Sequence, residues 1–144
     1  MLDKAAIDEL IPHTGSMCVL DTVQRWDQDS IVCTSNRHHS EDNPLRESAE
    51  LCCEVLLEYT AQAAAVHAAL VGAGIGSDRT ALMGAVKRLH LHQRVVEPSI
   101  ETLLVSANAQ LQSRDGAIYQ VAVHGHDTPL ITARIVLLIP KVRV

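Results

Sequence analysis

Glu54, Glu58 and Gln62 interrupt a largely apolar stretch, LCCEVLLEYTAQAAAVHAALV, from Leu51 to Val71. They recur at i, i+4 and i+8, the spacing that lines up residues on one face of a helix. A carboxylate among Ala, Leu and Val loses solvation of its charged form. Glu58 therefore needs hydrogen-bond donors, a proton of its own, or an opening onto a solvated cleft. Such a group suits general acid–base chemistry, and an imidazole is its natural complement near neutral pH. The chain has eight histidines, so type alone selects none of them. His38-His39 reads as a solvated loop pair and His67 as a packed, hydrogen-bonded residue. His90 and His92 share one strand face but have no third ligand at suitable spacing, so surface histidines are expected and no metal or cofactor is implied. Cys18, Cys33, Cys52 and Cys53 also lack metal-ligand spacing, and adjacent cysteines in a helix are poorly placed to bridge. Four reduced thiols in a cytosolic protein are expected.

The element that must position Glu58 is a long core helix. Residues 51–71 are good helix formers without Gly or Pro, and their apolar positions go nearly all round the axis. Ser48 fits the N-cap, with Glu50 and Leu51 in the first turn, and Gly72, Gly74, Gly76, Ser77 and Asp78 provide the stop. The stretch is too short and too charged to span a membrane. Before it come a short amphipathic helix over Ala5–Leu10, a break at Pro12–Gly15, and β-like runs over Met17–Trp26 and Ser30–Ser35 joined by Asp27-Gln28-Asp29. Asn36–Arg46 reads as a loop. After it come Leu82–Val96, then Thr102–Gln112 with Val105, Ala107, Ala109 and Leu111 on one face, then an alternating strand through Tyr119, Val121 and Val123 beyond a turn at Arg114-Asp115-Gly116. A second turn leads to Leu130–Ile139, whose continuous apolar run predicts a strand covered on both sides. The order is α+β: an antiparallel sheet wrapped around one central helix, in one domain over residues 1–144.

Composition narrows the function. Aromatics are 2%, Phe is absent, and the formal charge is −5. A base-stacking surface and a global attraction for nucleic acid are both excluded. An acidic partner would have to meet a local patch, for which Lys87, Arg88 and Arg94, joined by Arg37 and Arg46, are the candidates.

Two motifs carry a family resemblance. Ile11-Pro12-His13-Thr14-Gly15-Ser16-Met17-Cys18-Val19-Leu20-Asp21 resembles the L-P-H-R-x-P-M/F-L-L-x-D opening of the hotdog-fold 3-hydroxyacyl-acyl-carrier-protein dehydratases. Glu58-Tyr59-Thr60-Ala61-Gln62-Ala63 resembles their E-x-x-A-Q-A helix segment, and Asn43-Pro44-Leu45-Arg46 with Glu58-Tyr59 and Ala65-Val66-His67 is most similar to the branch of aryl-polyene and related polyketide-like pathways. The resemblance implies a dimer of hotdogs, homo- or heteromeric, without a cofactor, acting on a 3-hydroxyacyl chain held by an acyl carrier protein. In such enzymes a loop histidine and the helix carboxylate exchange protons with C2 and the C3 hydroxyl, and the helix N-terminus holds the thioester carbonyl. Glu58 matches the carboxylate. Asn43 falls where the histidine belongs, and an amide cannot accept that proton. His13 and His39 are the substitutes the sequence offers. Asn43, Gln62 and Cys53 are the residues expected beside the substrate, and Lys87, Arg88 and Arg94 at the carrier-docking surface. A catalytically weakened partner subunit and an acyl thioesterase are the alternative readings.

Overall fold

A computed structural model describes residues 1–11, 17–40, 42–45, 50–72 and 81–139 of the chain. Strands β1 (Thr22–Trp26), β2 (Ser30–Ser35), β3 (Leu82–Leu91), β4 (Leu103–Gln112), β5 (Gly116–Gly125) and β6 (Thr128–Leu138) form one antiparallel sheet in the order β1-β2-β4-β5-β6-β3. Helix α1 (Lys4–Leu10) is capped by Asp3, whose carboxylate accepts from Ala6 N–H at 3.0 Å. Helix α2 (Leu56–Leu70) packs against β2, β4, β5 and β6. This is the expected α+β sheet around a central helix.

Alanines at 63 and 64 let α2 approach the sheet closely, while Leu56, Tyr59 and Val66 fill the space between them and Ile31, Val105, Val121 and Ile135. Every one of these side chains is fully or almost fully buried. The helix stops where expected: Val71 N–H bonds the His67 carbonyl, and Gly72 takes φ +81°, a left-handed conformation that glycine adopts without penalty.

Four expectations are corrected. The helix begins later than residues 50–51. Leu51 C=O accepts from Val96 N–H and Cys53 N–H donates to Arg94 C=O, both at 2.9 Å, so residues 51–53 lie extended beside 94–96 before a 3-10 turn, Cys53–Val55, leads into α2. Backbone groups committed to that pairing are not available to a helical turn. Leu111 does not share the buried face of β4. The register shifts between Ala109 and Leu111, which sets Leu111 opposite Ile118 and leaves it 59% exposed. Strand β6 is covered on one face only: Ile131, Ala133, Ile135 and Leu137 are buried, and Thr132, Arg134 and Val136 half-buried. Met17–Asp21, read as strand, lies outside the sheet. The expected cap Ser48, the Pro12–Gly15 break, Arg46 and the Gly74–Asp78 stop fall outside the described residues. No helix among the described residues is long and apolar enough to cross a membrane.

Candidate active site

Glu58 lies half-buried in the first turn of α2. One turn on, Gln62 is 2% exposed and fully engaged. Its Oε1 accepts from Val19 N–H at 2.9 Å, which fixes the orientation of the amide, and its Nε2 then donates to Met17 C=O at 2.9 Å and to Glu58 Oε1 at 3.1 Å. Both amide hydrogens are thereby used. The consequence is geometric: Gln62 ties the described end of the opening motif, Met17–Val19, to the same face of α2 as the carboxylate. Ser35 Oγ holds the segment from the other side by donating to Val19 C=O at 2.5 Å.

The other site candidates are less closely gathered. His13 lies outside the described residues. His39 is exposed in a 3-10 turn, Arg37–His39, with its ring centroid 3.9 Å from that of His38. His38 itself is 3% exposed, its Nε2 donating to Ile100 C=O at 2.6 Å, so the histidine pair is half core and half surface rather than solvated as expected. Asn43 is 4% exposed. It donates to Arg37 C=O at 3.0 Å and to Tyr59 Oη at 2.8 Å and accepts from Leu45 N–H at 2.9 Å, which pins the loop onto α2 one residue from Glu58. Cys53 is buried at the helix approach. Desolvation, helped by Glu54 and Cys52, pushes its thiol up to about 11, so it is neutral and a poor nucleophile. Lys87 and Arg88 are exposed on β3, and exposed Arg94 follows that strand, its guanidinium 3.6 Å from Glu50.

Two further features shape the site. Among the described residues no N-cap side chain bonds the start of the 3-10 turn or of α2, and the Leu56 N–H is taken by the Cys53 carbonyl. At the opposite end of the helix His67 is wholly buried, with Nε2 2.8 Å from Asp27 C=O and Nδ1 2.7 Å from Tyr119 Oη. A carbonyl only accepts, so Nε2 carries the proton, and Nδ1 accepts from the tyrosine, whose own ionisation burial opposes. His67 is thus packed and hydrogen-bonded as its sequence context suggested. Tyr59 entered the sequence reading only as part of the family resemblance and Tyr119 only as a strand residue, although a chain with two tyrosines, one beside Glu58, held a hint. His90 and His92 are exposed.

Residues 5–143 match the sequence model of the ApeP-like family, described as ApeP dehydratase. This chain belongs to that family. For an ApeP-like protein the link between the opening motif and Glu58 joins the two segments that carry the dehydratase resemblance. The ApeP-like chain is 16% identical to a chain of "The Dehydratase Heterocomplex ApeI:P" from Xenorhabdus doucetiae, with a TM-score of 0.83 over 94% of this chain and 91% of that one. It also shares the fold of a hypothetical thioesterase protein with coenzyme A from Streptococcus pneumoniae (10% identity, TM-score 0.60, 85% and 87% covered) and of a mutant thioesterase from Pseudomonas aeruginosa (15% identity, TM-score 0.57, 82% and 79% covered). No curated protein matches the sequence.

Proposed function

We propose that this ApeP-like chain is one subunit of a cytosolic hotdog dehydratase pair that removes water from 3-hydroxyacyl thioesters held on an acyl carrier protein, in polyene-type biosynthesis. The observation that carries the reading is Glu58, half-buried in the first turn of α2 and held by a glutamine that also anchors the opening motif. In the reaction a base takes a proton from C2, the C3–O bond breaks, and an acid protonates the departing hydroxyl, leaving an α,β-unsaturated thioester and water. Glu58 supplies the acid side of this exchange. The 3-10 turn that leads into α2 faces the thioester carbonyl, where the positive end of the helix dipole opposes developing negative charge. Asn43, held by Arg37 and Tyr59, shapes the loop beside the site and takes no proton. A histidine of the assembled pair is the base. The ApeI:P complex, a heteromer of similar fold, supports working with a second hotdog chain. Arg94, beside the helix approach and exposed, is suited to meet an acidic carrier.

The test is conversion of a 3-hydroxyacyl carrier protein by this chain mixed with a hotdog dehydratase subunit, followed by mass spectrometry. Loss of 18 Da at about the hydration equilibrium, abolished by Glu58→Gln, is expected; turnover equal for wild type and variant would remove Glu58 from the chemistry. Free acid instead of the unsaturated thioester would establish the thioesterase reading, which the fold shared with thioesterases also accommodates.

A further inference from the structure

Strand β3 stands apart from the rest of the sheet. It pairs on one side with β6, and its other side is the sheet's edge. Its inner face is also poorly covered: Met83, Leu89 and Leu91 are 38%, 39% and 47% exposed, because α2 packs over β2, β4, β5 and β6. A ten-residue edge with bare leucines is an adhesive surface. Its charge is one-sided as well. From Leu82 to Arg94 the chain carries Lys87, Arg88 and Arg94 and no Asp or Glu, although acidic residues outnumber basic ones 17 to 12 overall. Among the described residues neither Lys87 nor Arg88 has an ion-pair partner.

The register makes this charge consequential. Lys87 lies directly opposite Arg134 of β6, on the outer face of the sheet. If two copies joined their β3 edges about a twofold axis, full overlap would place the axis beside Val86 and Lys87, at the middle of the strand. For both sheets to present the same faces, Lys87 would then lie opposite or diagonal to its own copy, within ~8 Å. The result is an unbroken row of cations, Arg134, Lys87, Lys87 and Arg134, with Arg88 at a left-handed bulge (φ 54°) alongside. Like charges facing each other across strands oppose pairing.

Taking the sheet-joining dimer of hotdogs that the resemblance implies, we propose that Lys87, Arg88 and Arg134 at the β3 edge disfavour the pairing of two identical copies and select a partner chain whose own edge strand carries aspartate or glutamate near its middle. The proposal rests on the two-chain reading above and adds what charge the pairing edge selects. It gives Lys87 and Arg88 to subunit pairing and leaves Arg94, beyond the strand, for a carrier.

A charge swap tests it. Sedimentation velocity compares wild type, the K87E/R88E variant, and a 1:1 mixture of the two, at low and high salt, with circular dichroism confirming that each is folded. The mixture should associate about tenfold more tightly than wild type alone at low salt, with the gap closing at high salt. The neutral K87Q/R88Q variant should self-associate more tightly than wild type. Mixture and wild type associating equally, K87Q/R88Q no tighter than wild type, or no association in any sample would each overturn the proposal. Formation of a complex with a dehydratase subunit that is indifferent to these substitutions would reject the charge selection while leaving the two-chain function standing.

Discussion

The two ends of α2 carry polar networks built on opposite plans. At its C-terminal end His67, Tyr119 and the Asp27 carbonyl form a closed chain: each donor meets an acceptor, and the imidazole is wholly buried. At its N-terminal end Gln62 is equally well satisfied, but the carboxylate it supports is only half-buried and lies at a helix start without a side-chain cap. A network that closes on itself stabilises and specifies a core, whereas a half-buried carboxylate held by an amide stays within reach of a substrate. The contrast separates structural from chemical residues on one helix, and substitutions at the two ends should separate activity from stability.

The largest effect expected is on rate. Glu58→Gln keeps the shape and an acceptor for Gln62 but cannot supply a proton, so turnover by the assembled pair should fall by about 10²- to 10⁴-fold. Stability should change by less than about 0.5 kcal/mol, as is usual for a substitution that empties no cavity and strands no buried group. Steady-state kinetics and urea unfolding of the same preparation read both. The opposite pattern is expected of His67→Ala, which strands the buried Tyr119 hydroxyl in the core and releases the Asp27 carbonyl of the exposed turn. It should cost about 2–4 kcal/mol, and Tyr119→Phe about 1–2 kcal/mol, with the kinetics of the surviving folded protein little altered. A His67 variant as stable as wild type would show that the closed network is not what holds this end of the helix.

Gln62 lies between the two plans. Gln62→Ala leaves Val19 N–H and Met17 C=O without their partner and releases Glu58, so about 1–3 kcal/mol of stability should go together with about a tenfold drop in kcat. If stability falls and kcat does not, the glutamine fastens the segment but does not position the carboxylate.

How far these features could be read in advance depends on range. Alternation and turn residues are local, so the strands, the Asp27–Asp29 turn and the Gly72 stop are legible from sequence. The helix is legible as a core element from its all-round apolar surface. Its first turn is not, because the extended pairing of 51–53 with 94–96 is set by residues forty positions away. The β4 register shift that turns Leu111 outward is likewise decided by β5. Glu58 stood out as a carboxylate among alanines, and so did the spacing to Gln62. The partners of Gln62 at 17 and 19 did not, since a glutamine bonding backbone atoms leaves no mark in its neighbours' side chains. His38 illustrates the same limit: its buried Nε2 is satisfied by the Ile100 carbonyl, which any residue type could provide.

The smallest effect expected concerns the turn that the closed network leans on. The Asp27 carboxylate accepts from the backbone N–H groups of Asp29 and Ser30, both at 2.8 Å, while its carbonyl holds His67. Those two donors favour the ionised form and keep this carboxyl below the usual aspartate range. A lowered folded-state pKa means that the stabilisation is fully present above the unfolded value and is lost as pH falls through the folded one. Asn keeps one acceptor and tolerates turns, so Asp27→Asn should be slightly less stable than wild type by an amount that is constant from about pH 5 to 8 and shrinks below about pH 4. Urea unfolding across that range reads the difference. A gap that persists unchanged to pH 3 would mean that the turn is held by shape rather than charge, and that the anchor of His67 depends on the backbone path from Asp27 to Ser30 and not on the carboxylate that caps it.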